Sequence, residues 1–191
     1  IGDTQLALSN QEEALAAYEG AKEVTNASDD ASLQAEILTK LGKLNRDLNR
    51  YADSTTAYQA AAVIWHELGE FQYEADVVAI IAENYGLAQE VDKALATFDE
   101  ALLLADQIQD TALIISINRS AGDLLAKLGR SEEAVVKYQA ALTAAKQLAD
   151  VKLQATMHDK LGSLYRQNKQ YAESTAALTE ALTLWQQLDD A

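Results

Sequence analysis

Between residues 31 and 48, Leu33, Ile37, Leu41, Leu44 and Leu48 fall three or four positions apart, a spacing that gathers apolar side chains on one face of a helix. Tyr58, Ala61, Ala62, Trp65 and Leu68 repeat that spacing in the next stretch. Short polar segments separate such runs: Asn49-Arg50, Gly129-Arg130-Ser131, Asn168-Lys169-Gln170, and also Asn26-Ala27-Ser28-Asp29-Asp30 and Gln109-Asp110-Thr111. The pattern predicts one set of helices over 31–48, 71–88, 111–128 and 151–168. A second set is expected over 11–26, 51–68, 91–108, 131–148 and 171–188. Ser131, followed by Glu132 and Glu133, is expected to start its helix, with the acids near the positive end of the dipole. The sequence contains no proline, in keeping with long uninterrupted helices.

The pattern repeats every forty residues. Ala14, Ser54, Ala94, Ala134 and Ser174 form one column, and Tyr18, Tyr58, Phe98, Tyr138 and Leu178 stand four positions further on. Ala21, Ala61, Ala101, Ala141 and Ala181 form a third column, and Gly2, Gly42, Ala82, Gly122 and Gly162 a fourth. Blocks 31–70 and 151–190 share 16 of 40 residues, including Tyr51, Ser54, Trp65 and Leu68 of the first. Small residues in both helices let two backbones approach closely while the aromatic fills the adjoining space, so the columns are core.

This grammar of small residues at a helix crossing and an aromatic on the second helix resembles the tetratricopeptide repeat. The forty-residue spacing exceeds that family's usual 34, and is similar to the long-helix arrays of kinesin light chains, cell-polarity adaptors and bacterial signalling regulators. The family's proline near the repeat end is replaced by Asn26, His66, Asp106, Lys146 and Gln186. The resemblance implies an all-α fold, a right-handed α-solenoid of antiparallel helix pairs. It would form one array over 1–191: a truncated repeat 1–30, then complete repeats 31–70, 71–110, 111–150 and 151–190. It also implies that first helices line a concave face and second helices a convex one. The family's chaperone clamp needs a Lys–Asn pair one turn apart. Here the matching pairs are Thr39–Lys43, Ala79–Glu83, Arg119–Asp123 and Asp159–Ser163, so that function is not expected. The Asn that polarity adaptors carry before the crossing glycine is replaced by Lys40, Ile80, Ser120 and Lys160.

Composition narrows the chemistry. Without cysteine there is no thiolate nucleophile or thiolate metal site, which fits a reducing cytosol. His66 and His158, the two histidines, lie two to three repeats apart, so a non-enzymatic protein without cofactor or metal is expected. A net charge of −15 disfavours nucleic acid and anionic membrane as partners, and no apolar run approaches a membrane span. The charge is partitioned. First-helix halves of the repeats hold eleven basic and nine acidic residues, and second-helix halves four basic and twenty-one acidic. Solubility accounts for an acidic outer side. The sharper reading is that the first-helix face is kept available for a ligand.

The residues expected to line that groove and bind a peptide are Glu36, Lys40, Lys43, Arg46 and Asp47, then Asp76 and Glu83, then Arg119, Asp123 and Lys127, and finally Asp159, Lys160, Ser163 and Arg166. Block 71–90 is acidic and its neighbours basic, which suits an extended or helical peptide of mixed charge. Helical spacing also puts Glu36, Lys40, Lys43 and Asp47 on one face, where ion pairs within the helix are the plain alternative. Three functions follow as expectations: an interaction scaffold for a protein or peptide partner, a ligand- or peptide-sensing domain of a larger signalling protein, or a self-associating array. Because the sequence opens on Ile1 and stops just past a second helix, it is expected to be part of a longer chain. Trp185 and Leu188 would then face solvent, a second copy or further sequence, and end-to-end association through terminal repeats stays open.

Overall fold

In the computed structural model, residues 2–3, 10–26 and 30–189 are described. Beyond residues 2–3, which are also helical, the described residues form nine helices: α1 Gln11–Asn26, α2 Ala31–Asp47, α3 Tyr51–Leu68, α4 Phe71–Leu87, α5 Val91–Gln107, α6 Thr111–Lys127, α7 Ser131–Gln147, α8 Val151–Gln167 and α9 Tyr171–Asp189. Among the described residues there is no strand. Each boundary lies within one residue of the position that hydrophobic spacing predicts. The part of the truncated repeat at 4–9 lies outside the described residues.

Two compact units divide the chain, Ile1–Leu104 and Ala105–Ala191, the division falling within α5. In the first unit α2 packs on α1 and α3, and α4 on α3; in the second α7 packs on α6 and α8, and α9 on α8. The contacts in each case join consecutive helices, as short connections require.

The small columns sit where helices cross. A Cβ placed on Gly42 would lie 2.8 Å from the Tyr58 ring, and one on Gly122 would lie 2.6 Å from Tyr138. Glycine there leaves room for the ring to lie flat on the neighbouring backbone. In the first unit Ala35, Leu38, Tyr58, Ala61, Trp65, Val77 and Ile81 form one buried cluster contributed by α2, α3 and α4. Ala14, Tyr18, Leu41 and Leu44 form another between α1 and α2. In the second unit Ile115, Ile117, Leu125, Tyr138, Leu142, Met157 and Leu161 are buried.

Every described inter-helix turn after Asn49 contains one residue in the left-handed region: Asn49, Gly69, Gln89, Gln109, Gly129, Ala149 and Lys169. The amide of the following residue reaches back to the last helical turn, as from Arg50 to Asn45 and from Arg130 to Leu125, which satisfies carbonyls that the helix end would leave bare. Asp30, Asp110 and Asp150 cap α2, α6 and α8 by accepting the amides of Leu33, Leu113 and Leu153. As expected, α7 starts at Ser131 with Glu132 and Glu133 in its first turn, and Arg130, which precedes it, makes no side-chain cap. Arg130 instead holds Glu133 of the first turn at 2.6 and 2.7 Å.

Candidate functional site

Charges on the first helices are tied between neighbouring helices of the same type. Lys40 donates to Asp3 at 2.7 Å, Arg46 to Glu83 at 2.5 Å, and Lys160 to Asp123 at 2.6 Å. Each pair is 37 residues apart, three short of the repeat, which fits first helices lying side by side with a small offset. Pairing along one helix, the alternative left open by spacing, is not what these three cations do. All three pairs are partly exposed, so each contributes at most about 1 kcal/mol and serves mainly to set register.

A tyrosine of the second helix completes two of these pairs. The Tyr18 hydroxyl donates to Asp3 and the Tyr138 hydroxyl to Asp123, both at 2.6 Å. Lys40 and Lys160 also stand 6.0 and 5.6 Å from the respective ring centres, within range of a cation–π contact. Burial, followed by the hydrogen bond to Asp3, pushes Tyr18 up to about 12. Tyr138 is raised by the same causes with Asp123. Asp3 is held below the usual carboxylate range, chiefly by the Lys40 hydrogen bond and then by that of Tyr18. The triplets Asp3-Tyr18-Lys40 and Asp123-Tyr138-Lys160 share the spacings 15 and 37. That spacing was legible in the sequence, but it needs two helices laid side by side before it has meaning.

Within the second unit an open cleft of about 370 Å³ is lined by Ala126 and Lys127 of α6, Tyr138 of α7, and Asp159, Lys160, Ser163, Leu164 and Gln167 of α8. Four of the expected groove residues therefore converge there: Lys127, Asp159, Lys160 and Ser163. Asp159 also accepts the Trp185 indole N–H at 2.8 Å, which joins α8 to α9. Asp123 is tied to Lys160 at the same face, and Arg166 is exposed one turn beyond Ser163, while Arg119 is half-buried on α6. In the first unit Glu36, Lys43 and Asp47 are exposed, and Lys40, Arg46, Asp76 and Glu83 half-buried.

Sequence reasoning missed Asn84, which is fully buried at a position held by Leu44, Leu124 and Leu164 in other repeats. Its amide donates to Ser54 Oγ at 2.8 Å, and Ser54 donates to the Gly42 carbonyl at 2.7 Å. The Asn84 carbonyl oxygen has no hydrogen-bond partner among the described residues. His66 meets Glu74 at 3.0 Å and the edge of Phe71. No group of three or more His, Cys, Asp or Glu among the described residues is arranged to hold a metal ion, and no described helix is long and apolar enough to cross a membrane.

The model of the tetratricopeptide repeat family matches residues 155–184. Several solved structures resemble the whole chain. BtubC (BKLC) from P. vanneervenii is 18% identical with a TM-score of 0.84, over all of this chain and 79% of that one. The apo form of RapI is 17% identical with a TM-score of 0.87, over 96% of this chain and 51% of that one. A Rap protein complexed with competence and sporulation factor is 20% identical with a TM-score of 0.69, over 97% and 53%. This chain thus spans about half the length of the two Rap structures. No curated protein matches the sequence.

Proposed function

We propose, from the tetratricopeptide-repeat fold that this chain shares with its structural relatives, that it is a non-enzymatic interaction module which binds a peptide or partner helix along its first-helix face. The cleft in the second unit carries the reading, because residues of two first helices separated in sequence converge on it. Exposed Lys127 gives its rim a cation, beside Lys160 held by Asp123 and Asp159 held by the Trp185 indole; Ser163 and Gln167 offer hydrogen bonds, and the Tyr138 ring and Leu164 offer apolar contact. The peptide group that suits this lining is acidic. In the first unit, block 71–90, with four acids and no base, favours basic groups on a ligand of that unit.

A second reading rests on the Rap likeness. This chain corresponds to about half of a regulator solved with competence and sporulation factor, so it would serve as the peptide-sensing part of a longer signalling protein. The same cleft would be used, and only the output would differ.

The test is capture of partners by the wild-type chain and by Lys127→Glu/Arg166→Glu, both exposed positions, with circular dichroism to confirm the fold. Acidic ligands should bind the variant at least tenfold more weakly, since Lys127 of the rim and Arg166, one turn beyond Ser163 on α8, both become anions. Unchanged capture would remove the cleft from the reading.

A further inference from the structure

Near the end of the first helices, position 45 holds asparagine where the later repeats hold Tyr85, Leu125 and Tyr165. The two tyrosines are placed alike. The Tyr85 hydroxyl accepts from Gln59 Nε2 at 3.0 Å and that of Tyr165 from Gln139 Nε2 at 3.1 Å, each amide lying 26 residues earlier on the preceding helix. From the other side Lys93 of α5 stands over the Tyr85 ring, 5.3 Å from its centre. The ring also packs against the buried cluster that contains Tyr58, Ala61 and Ile81. A tyrosine of α4 thus fills the groove between α3 and α5, with its hydroxyl partnered at the edge, as a buried phenol requires.

Between α1 and α3 the same groove is open. Asn45 is shorter, and its amide turns back to the Leu41 carbonyl of its own helix at 3.0 Å. The result is a cleft of about 340 Å³ floored by Leu38, Leu41 and Asn45, all buried. Its walls match the surroundings of Tyr85 position by position: Glu19 of α1 stands for Gln59, and Asp53 of α3 for Lys93. Lys22 and Arg50 add a cation to each wall. Both walls and the floor come from three consecutive helices, so the opening follows from residue 45 and not from either end of the sequence.

We propose that this cleft binds the phenol ring of a tyrosine side chain carried by a peptide. The ring would lie over Leu38, Leu41 and Ala57 as the Tyr85 ring lies between α3 and α5. Where Gln59 donates to the Tyr85 oxygen, the Glu19 carboxylate accepts the O–H of the ligand. Lys22 and Arg50 take the part that Lys93 plays for Tyr85, a cation beside the ring face. Glu19 at the hydroxyl end repels a phosphorylated ring, so the ligand is the unmodified phenol. The wall residues Glu19, Lys22, Arg50, Asp53 and Thr56 are exposed, which lets a side chain enter while its backbone stays at the rim. There Asp53 and Thr56 offer acceptors to peptide N–H groups. The site is separate from the cleft of the second unit and does not depend on what binds there.

The test titrates the chain with N-acetyltyrosinamide and follows the methyl resonances of Leu38, Leu41 and Ala57 by NMR. These should move saturably. N-acetylphenylalaninamide in place of the probe, or Glu19→Ala in the chain, should weaken binding about fivefold, the worth of one hydrogen bond. Asn45→Tyr, which supplies the ring found in two other repeats, should remove binding, and Asn45→Ala should keep it. Glu19 is exposed, so the test stands on Glu19→Ala if Asn45→Tyr does not fold by circular dichroism. 4-Methylphenol, the same ring without peptide groups, should bind more weakly than the probe; equal or tighter binding would make a free phenol the ligand and refute the peptide. Tighter binding of the phosphorylated probe would make the cleft an anion site and overturn the proposal. So would equal binding of the phenylalanine probe, methyl resonances that stay still at the solubility limit, or movement of Leu164 in their place.

Discussion

Ser54 and Ser174 stand 120 residues apart and do the same thing: each hydroxyl donates to the carbonyl of the glycine twelve positions earlier, at 2.7 and 2.8 Å. Ser54 also accepts from the buried amide of Asn84. Ser174→Ala should therefore cost about 1 kcal/mol, one net hydrogen bond. Ser54→Ala should cost about 2–4 kcal/mol, because the Asn84 amide loses its partner in a dry site. Urea unfolding of both variants checks the difference, and equal costs would deny the Asn84 link. His158 gives a pH dependence. Burial lowers its pKa, Lys146 adds to the lowering, and Glu180 and Asp159 oppose it. The folded chain then binds fewer protons than the unfolded one below the ordinary value of about 6.5. Its contribution is complete above that pH and is lost as pH falls through the depressed folded value. Unfolding midpoints should drop between pH 7.5 and 5, and His158→Leu, matching Leu38 in the register, should flatten part of that drop.

At the scale of elements, the first helices begin on a recurring signal. Asp30, Asp110 and Asp150 each bond the third amide of their helix, while Glu70 occupies the same place before α4 and makes no cap. Its side chain is one methylene longer and cannot close the same short ring. Glu70→Asp should stabilise by about 0.5–1 kcal/mol, the usual value of an N-cap, measurable as a higher urea midpoint with unchanged slope. Helix limits were legible because forty-residue periodicity and three-to-four spacing agree at every copy. The left-handed turn residues were only half legible. Asn49, Gly69 and Gly129 suit that conformation, whereas Ala149 adopts it although alanine has no intrinsic reason to; the packed helices on either side impose it.

Over the molecule as a whole, charge is the feature with the widest reach. Acidic residues borne by the second helices are exposed throughout, and their halves of the repeats hold twenty-one acids against four bases. Raising salt from about 0.05 to 0.5 M shortens the screening length to roughly 4 Å and should raise the thermal midpoint by relieving this repulsion. The ion pairs Lys40–Asp3, Arg46–Glu83 and Lys160–Asp123 are too exposed to offset that gain. A falling midpoint would show that they dominate after all.

Hydrophobic spacing by itself determined that this protein is an array of helix pairs, where each helix begins and ends, and which small and aromatic residues meet, because those features repeat locally and depend on neighbours within one turn. The candidate cleft was legible only in part: Lys127, Asp159, Lys160 and Ser163 were singled out by charge and position. That Lys160 is tied to Asp123 and Tyr138, that Asp159 holds Trp185, and that Asn84 is buried where leucine stands elsewhere were decided by packing. Each depends on the offset between helices that the chain places side by side but that no local pattern encodes.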